Sequence, residues 1–287
     1  MEWIEALILG ILQGLTEFLP VSSSGHLELG KALLNINPSN DLLFSIILHA
    51  ATALSTLVVF RKEIGFILKG MLKFKWNDEW EFAVKIVISM IPVGIIGVFF
   101  KKWVESFFEG NIPFVGGMLL ITGVLLMITR LKQENALPTS GQKAILDEET
   151  TPKETHSQTA ALNQNISYLQ AFVIGLAQAI AVLPGISRSG ATIATALLIG
   201  VPRSEAARFS FLMVLAPIFG ATLLEVKDYF ESPNPATLDI SFLSIGFITA
   251  FVVGLIACYW MVELVKKRKL IYFAVYCLIV GLIALFV

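Results

Sequence analysis

Two apolar runs, at about 3–34 and 167–200, are each long enough to enter a lipid bilayer, and each is broken midway, by LPVSSSG in the first and LPGISRSG in the second. Proline lacks an amide donor and glycine permits irregular backbone, so neither run continues as one helix. Both are expected to form re-entrant hairpins, whose non-helical tips are tolerated at membrane depth only where protein or a wet cavity satisfies them. The tips read QGLTEFLPVSSSGH (13–26) and QAIAVLPGISRSGAT (178–192). An ionised side chain at membrane depth costs at least about 2.5–3.5 kcal/mol on insertion scales, which makes Glu17 and Arg188 functional candidates.

Six further apolar runs, at about 42–60, 82–100, 112–130, 207–226, 240–262 and 270–287, approach the ~20 residues that cross the hydrocarbon core as a helix. With 56% hydrophobic and only 15% charged residues, the chain lies far from the soluble average of about 25% charged. The expectation is an all-α polytopic membrane protein with six transmembrane helices plus two re-entrant helical hairpins, Pro92 and Pro217 kinking two of the spans. A net charge of -1 excludes a nucleic-acid partner. Glu2 and Glu5 stand where a signal peptide carries lysine or arginine, so the N-terminus is expected to be retained. Cys258 and Cys277 lie in apolar runs and suit packing better than a disulfide or a metal site.

Lysine and arginine accumulate on the cytoplasmic side of spans. Placing 61–75 (Arg61, Lys62, Lys69, Lys73, Lys75), the KKRK of 266–269 and the polar stretch 131–166 inside leaves only Lys31, Lys101, Lys102 and Lys227 outside, with Arg188 at depth. The first hairpin then begins and ends outside and the second begins and ends inside, so the halves are inverted. A shift of 165 aligns Gly10 with Gly175, Gln13 with Gln178, Ser22 with Ser187, Ser24 with Ser189, Gly25 with Gly190 and Leu33 with Leu198 without a gap, and sets Ser23 against Arg188. The chain divides into a first repeat (1–130), a polar cytosolic linker (131–166) expected to be disordered and holding a solvated His156, and a second, inverted repeat (167–287). Residues 227–239 read as an outer loop. The cations of 61–75, interleaved with Phe66, Phe74 and Trp76, fit an interfacial segment near anionic lipid and equally an ordinary solvated loop.

Inverted repeats with broken helices place a site near the midplane, where half-helix ends point at an anionic group. Gln13 and Glu17, four apart, share a helical face. As carboxylate and amide they suit a metal site, a general base or, more simply, a cap on the serine turn. Ser22, Ser23, Ser24 and Gly25 in one turn, and Gly185, Ser187, Ser189, Gly190 and Thr192 in the other, offer hydroxyls and amides at helix starts, an arrangement suited to phosphate. Arg188 adds a planar guanidinium that forks onto phosphate oxygens. Together with His26 these residues point to a phosphate bound in a membrane beside a hydroxyl nucleophile, a histidine and a carboxylate. His49 is weighed as lining the cavity against plain packing.

The two tips closely resemble the signature motifs of the bacterial undecaprenyl pyrophosphate phosphatases, the bacitracin-resistance family, and the hydropathy profile is similar over nearly the whole chain. The resemblance implies hydrolysis of undecaprenyl pyrophosphate to the monophosphate with a divalent cation, Mg2+ or Ca2+, in the multi-pass setting of a bacterial cytoplasmic (inner) membrane, the pocket facing the extracytoplasmic side. It assigns the family's acidic first motif to Gln13 and Glu17, its essential serine and histidine to Ser23 and His26, and its essential arginine to Arg188, with Gln178, Ser187, Ser189 and Thr192 around the second turn. Gln13 departs from a two-acid motif, so Glu17 carries the charge there alone.

The expected partners are the polyprenyl pyrophosphate lipid and the bilayer, with a homodimer left open. The rival class is a transporter or flippase of polyprenyl phosphate lipids on the same inverted repeat. The phosphatidic acid phosphatase type 2 group, whose middle motif also ends in Ser-Gly-His, needs a histidine a few residues after a Ser-Arg, and SRSGATIATALL has none.

Overall fold

Each broken run folds as a pair of short helices about a turn. The computed structural model describes residues 2–34, 41–108, 111–135, 166–231, 240–267 and 269–286. In the first run α1 (Glu2–Thr16) and α2 (Ser23–Leu34) flank the turn at Pro20; in the second, α8 (Tyr168–Ile180) and α9 (Arg188–Leu198) flank the turn at Pro184. At 1.5 Å per residue the 15-residue α1 is about 22 Å long, short of the ~30 Å hydrocarbon core. Within each pair the two short helices pack against one another, α1 on α2 and α8 on α9.

Between the hairpins lie α3 (Asp41–Val59), α4 (Arg61–Met71), α5 (Asp78–Phe99), the single turn α6 (Lys101–Glu105) and α7 (Ile112–Asn135). After the second hairpin come α10 (Arg203–Met213), α11 (Leu215–Glu231), α12 (Ile240–Lys266) and α13 (Ile271–Ala284). No strand occurs among the described residues. The protein is an all-α, multi-pass membrane protein. On α5 the exposed residues Val87, Ile91, Ile95 and Val98 recur at helical spacing on one face, the pattern of a surface solvated by hydrocarbon.

Among the described residues, length and apolarity return fewer complete spans than the six expected. Asp78–Phe99, Ile112–Leu131, Arg203–Leu224 and Ile240–Lys266 qualify outright. The run at 42–60 is completed only with α4, from which it is bent by 75°. The last run contracts to α13, 14 residues long, or about 21 Å. Pro92 stays within a continuous α5, whereas the 207–226 run divides at Val214, three residues before Pro217, whose missing amide would have bonded the carbonyl of Met213. The linker boundaries also move. Residues 131–135 continue α7, Ile166 is buried in the core, and His156 with the rest of 136–165 lies outside the described residues. The outer loop at 227–239 begins as the end of α11, and its remainder, 232–239, lies outside them too.

Packing is reciprocal between the halves. α1 lies along α12 while α8 lies along α5, and α7 pairs with α13. The contacts depend on glycines at matched positions: a Cβ on Gly10 would meet the Gly246 carbonyl at 2.9 Å, and one on Gly175 would collide with the Ser89 carbonyl. The largest apolar core, with Phe18, Phe82, Phe209, Phe211 and Met261, packs beneath both hairpin tips and fixes their separation. Gln170 closes the base of the second hairpin, forming a capping box with Ser167 and donating Nε2 to the Ile199 carbonyl at 3.0 Å.

Candidate active site

The two serine turns are built alike at the atomic level. Ser22 Oγ accepts from the Gly25 amide (3.2 Å) and Ser187 Oγ from the Gly190 amide (3.0 Å), so equivalent serines cap α2 and α9. Ser22 and Ser24 pair their hydroxyls at 3.4 Å; Ser187 and Ser189 pair theirs at 3.3 Å. The approach to the caps differs. Gly185 takes φ +94° in the second turn, while in the first Ser22 itself sits at φ 71°, a region uncommon for any residue but glycine. His26 stabilises that conformation by placing Nδ1 2.8 Å from the Ser22 carbonyl. Thr122 of α7 performs a similar service for the second turn, accepting from the Ser187 amide at 3.0 Å and donating to the Gly185 carbonyl at 3.4 Å.

The tips meet at Glu17. One carboxylate oxygen accepts from Arg188 of the second hairpin at 3.2 Å; the other accepts from Ser23 Oγ at 2.7 Å and from Gln13 Nε2 at 2.9 Å. Ser23 and Arg188 thus share one carboxylate. A second link between the tips runs from Ser189 Oγ to the Leu19 carbonyl, 3.2 Å. Glu17 is 6% exposed, and the guanidinium of Arg188 supplies its counter-charge. Arg188 keeps 28% of its side chain open. A cavity of about 350 Å³, its mouth included, lies against this pair, lined also by Ser189, Thr192, Thr52, Thr56 and Ser210.

The remaining expected site residues are placed around this centre. Ser22, Ser24, Gly25, Ser187 and Gly190 build the turns, and none of them lines the cavity. His26 is buried, with Nδ1 on Ser22 and Nε2 2.8 Å from the Tyr276 hydroxyl of α13; among the described residues no hydrogen bond joins it to Ser23. Gln13 and Gln178 are both fully buried. Gln13 also reaches Thr52 Oγ1 at 3.4 Å, but among the described residues its Oε1 has no hydrogen-bond partner and Gln178 has none at either amide atom.

Sequence reasoning passed over Thr52, Thr56, Ser210, Thr122 and Tyr276, and gave His49 only a divided reading. His49 Nε2 stands 3.8 Å from Glu17, with Nδ1 held by the Ser45 carbonyl at 2.8 Å. A signal existed: Ser45, His49, Thr52 and Thr56 recur at spacings of four, three and four, a polar stripe on a largely apolar helix whose Thr52 reaches Gln13 of α1. No comparable pattern announces Tyr276.

Chemically the cluster offers a hydroxyl against a carboxylate, an arginine positioned for an anion, and an unbonded buried amide oxygen beside them. Among the described residues no three acids, histidines or cysteines gather as a metal cluster. The family model described as bacitracin resistance protein BacA matches residues 6–283. The undecaprenyl-diphosphatase of Christiangramia forsetii is 51% identical, covering 99% of this chain and 98% of that one. Those of Bacteroides fragilis and Bacteroides thetaiotaomicron are each 49% identical, covering 100% and 98% of this chain and 98% and 97% of theirs. On its motifs and over nearly its whole length, this chain belongs to the bacitracin resistance protein BacA family.

Proposed function

We propose that the chain is an integral membrane undecaprenyl-diphosphatase, hydrolysing undecaprenyl pyrophosphate to undecaprenyl phosphate and inorganic phosphate in a bacterial inner membrane, with the pocket open to the extracytoplasmic side. The observation that carries the reading is the sharing of Glu17 by Ser23 and Arg188. It brings a nucleophile, a base and an anion receptor from both hairpins to one carboxylate, at the edge of the cavity that Glu17 and Arg188 line. The cavity is lined by hydroxyls and by Arg188, so the pyrophosphate enters between the tips while the polyprenyl tail stays in lipid.

Phosphoryl transfer asks mainly for positioning and charge stabilisation. Arg188 turns from Glu17 to the phosphoryl oxygens, which frees the carboxylate to act on its other partner. Ser23 Oγ attacks the terminal phosphorus and its proton passes to Glu17. The bond from that phosphorus to the bridging oxygen breaks, and undecaprenyl phosphate departs. Water then attacks the phosphoserine; the phosphorus–Oγ bond breaks as Glu17 returns its proton to Ser23 Oγ, and both protons of the water leave with the released phosphate. His26 holds the turn that aims Ser23, and Thr192 and Ser189 offer hydroxyls to the bound anion. A divalent cation, Mg2+ or Ca2+, belongs to the same proposal: the unbonded Oε1 of Gln13 and the Glu17 carboxylate would hold it, a sparse oxygen set of the kind Mg2+ completes with substrate phosphate and water. When bound it would add positive charge beside Arg188.

The repeats 1–130 and 167–287 are read as oppositely oriented copies of one unit. The matched serine caps and reciprocal helix packing support that reading. The test is phosphate release from undecaprenyl pyrophosphate by purified protein, with and without chelator, coupled to a search for phosphoserine at Ser23. Hydrolysis that leaves a trapped phosphoenzyme in the wild type and none in Ser23→Ala is expected. Undiminished hydrolysis by Ser23→Ala would refute the nucleophile, and lipid movement between leaflets without phosphate release would favour a transporter.

A further inference from the structure

At Phe60 the chain leaves α3 and turns by 75° into α4, so if α3 crosses the bilayer then α4 runs along its surface. α4 buries Ile67 and Gly70 against the protein and leaves Leu68, Lys62 and Lys69 open. The turn that follows exposes its residues more fully: Leu72 at 70%, Phe74 at 84% and Trp76 at 71%, alternating with exposed Lys73 and Lys75. Large apolar side chains so exposed need a reason, and this turn is firmly held. Asn77 donates Nδ2 to the Gly70 carbonyl (2.9 Å) while its Oδ1 caps α5 at the Trp80 amide, and Trp80 Nε1 donates to the Met71 carbonyl (3.0 Å). Phe74 occupies φ 49°, left-handed backbone that a phenylalanine rarely adopts and that is retained only where the surroundings impose it.

We propose that the α4–α5 turn is a membrane-surface anchor that binds the anionic headgroups of the bilayer this chain crosses. Leu72, Phe74 and Trp76 enter the headgroup layer, and Arg61, Lys62, Lys69, Lys73 and Lys75 face its phosphates. Aromatic and leucine side chains beside lysines are the composition of interfacial elements. Charge favours an anionic lipid over a neutral one, because the acids nearby are few and mostly turned away: Glu79 is buried over Gly70, Glu81 pairs with Lys85 at 2.8 Å, and only Glu63 and Asp78 remain beside the five cations. The proposal rests on the membrane reading of the fold and is independent of the hydrolytic reaction.

Full-length Leu72→Cys can be labelled selectively with bimane, since Cys258 and Cys277 are buried. The labelled protein is reconstituted in phosphatidylcholine vesicles with and without phosphatidylglycerol, and quenching is measured from a headgroup-level nitroxide lipid and from aqueous iodide. With phosphatidylglycerol, nitroxide quenching rises and iodide quenching falls, and high salt reverses both. Each lysine at an anionic surface contributes about fivefold to partitioning. Adding Lys69→Gln, Lys73→Gln and Lys75→Gln is therefore expected to raise the phosphatidylglycerol content needed by at least fivefold, with the thermal transition unchanged. Equal iodide access in both vesicles overturns the proposal and leaves a solvated turn or a site for a soluble partner. Quenching that ignores phosphatidylglycerol and the lysines overturns it as well, leaving apolar insertion alone.

Discussion

Glu17 accepts hydrogen bonds from two hairpins at once, and that gives the substitutions around it different consequences. Arg188→Lys keeps a positive charge but loses the planar fork that can hold two phosphoryl oxygens together. The expected result is a loss of phosphate release of about a hundredfold, the scale of removing one donor to a developing anion, with the thermal transition little changed because Glu17 keeps a cationic neighbour. Arg188→Ala should instead destabilise the fold, since it leaves a buried carboxylate without its arginine. His26 bears on a different question. Its two ring nitrogens are taken by the Ser22 carbonyl and the Tyr276 hydroxyl, contacts that suit it to holding the turn. On that reading His26→Gln, which can still hydrogen-bond, retains more hydrolysis than His26→Ala. Tyr276→Phe costs about 1 kcal/mol of stability with little loss of turnover. Equal inactivity of the glutamine and alanine variants, each with an intact thermal transition, would instead make His26 a proton carrier.

The capped hairpin is the element that aims these residues, and much of it was legible. Proline and glycine inside apolar runs announced the breaks, and the 165-residue register located the paired caps before any geometry did, because a helix start at depth must find acceptors for its amides and serine supplies them. The His26–Tyr276 contact joins residues 250 positions apart and leaves no local pattern to read. Span lengths were less legible than hairpins. An apolar run records hydrophobicity; Pro217 announced a break near Val214, but no proline or glycine marks the turn after Phe60. Ser187→Ala removes the cap of α9 directly beneath Arg188 and should cost about 1 kcal/mol. Ser22→Ala removes the matching cap immediately before Ser23 and should lower turnover as well; a thermal transition measured alongside phosphate release separates lost aim from lost stability. Gly175→Leu attacks the same hairpin from behind, where the Ser89 backbone leaves no room for a side chain. Overpacking of this kind costs on the order of 1–3 kcal/mol, and Gly65→Leu, at a site with nothing within 4 Å of an added Cβ, is the control.

Across the whole molecule, the reciprocal packing of α1 on α12 and α8 on α5 holds the two tips against a shared core, so the cavity is formed by the meeting of the halves and belongs to neither alone. On the proposed duplication the copies have diverged where chemistry is concerned: the second has valine at 182 and alanine at 191 where the first has Glu17 and His26, and it contributes Arg188 opposite Ser23. One site therefore replaces the two that a perfect repeat would build. In the proposed reaction that site takes the headgroup and the tail of the substrate remains in lipid, which divides the work of recognition between protein and bilayer. Uniform binding that is the same in ground and transition states changes KM and leaves kcat alone. Polyprenyl pyrophosphates of decreasing length should accordingly show a rising KM in detergent at nearly constant kcat, and the rise should shrink in vesicles when concentration is counted per lipid. Inorganic pyrophosphate, lacking a tail to bring it to the mouth, should be a poor substrate through KM. A kcat that fell steeply with each prenyl unit removed would mean that the protein grips the tail during the reaction, and would require an apolar groove running from the lipid to the cavity beyond Phe18, Phe211, Val214 and Ile218, the apolar residues that line it.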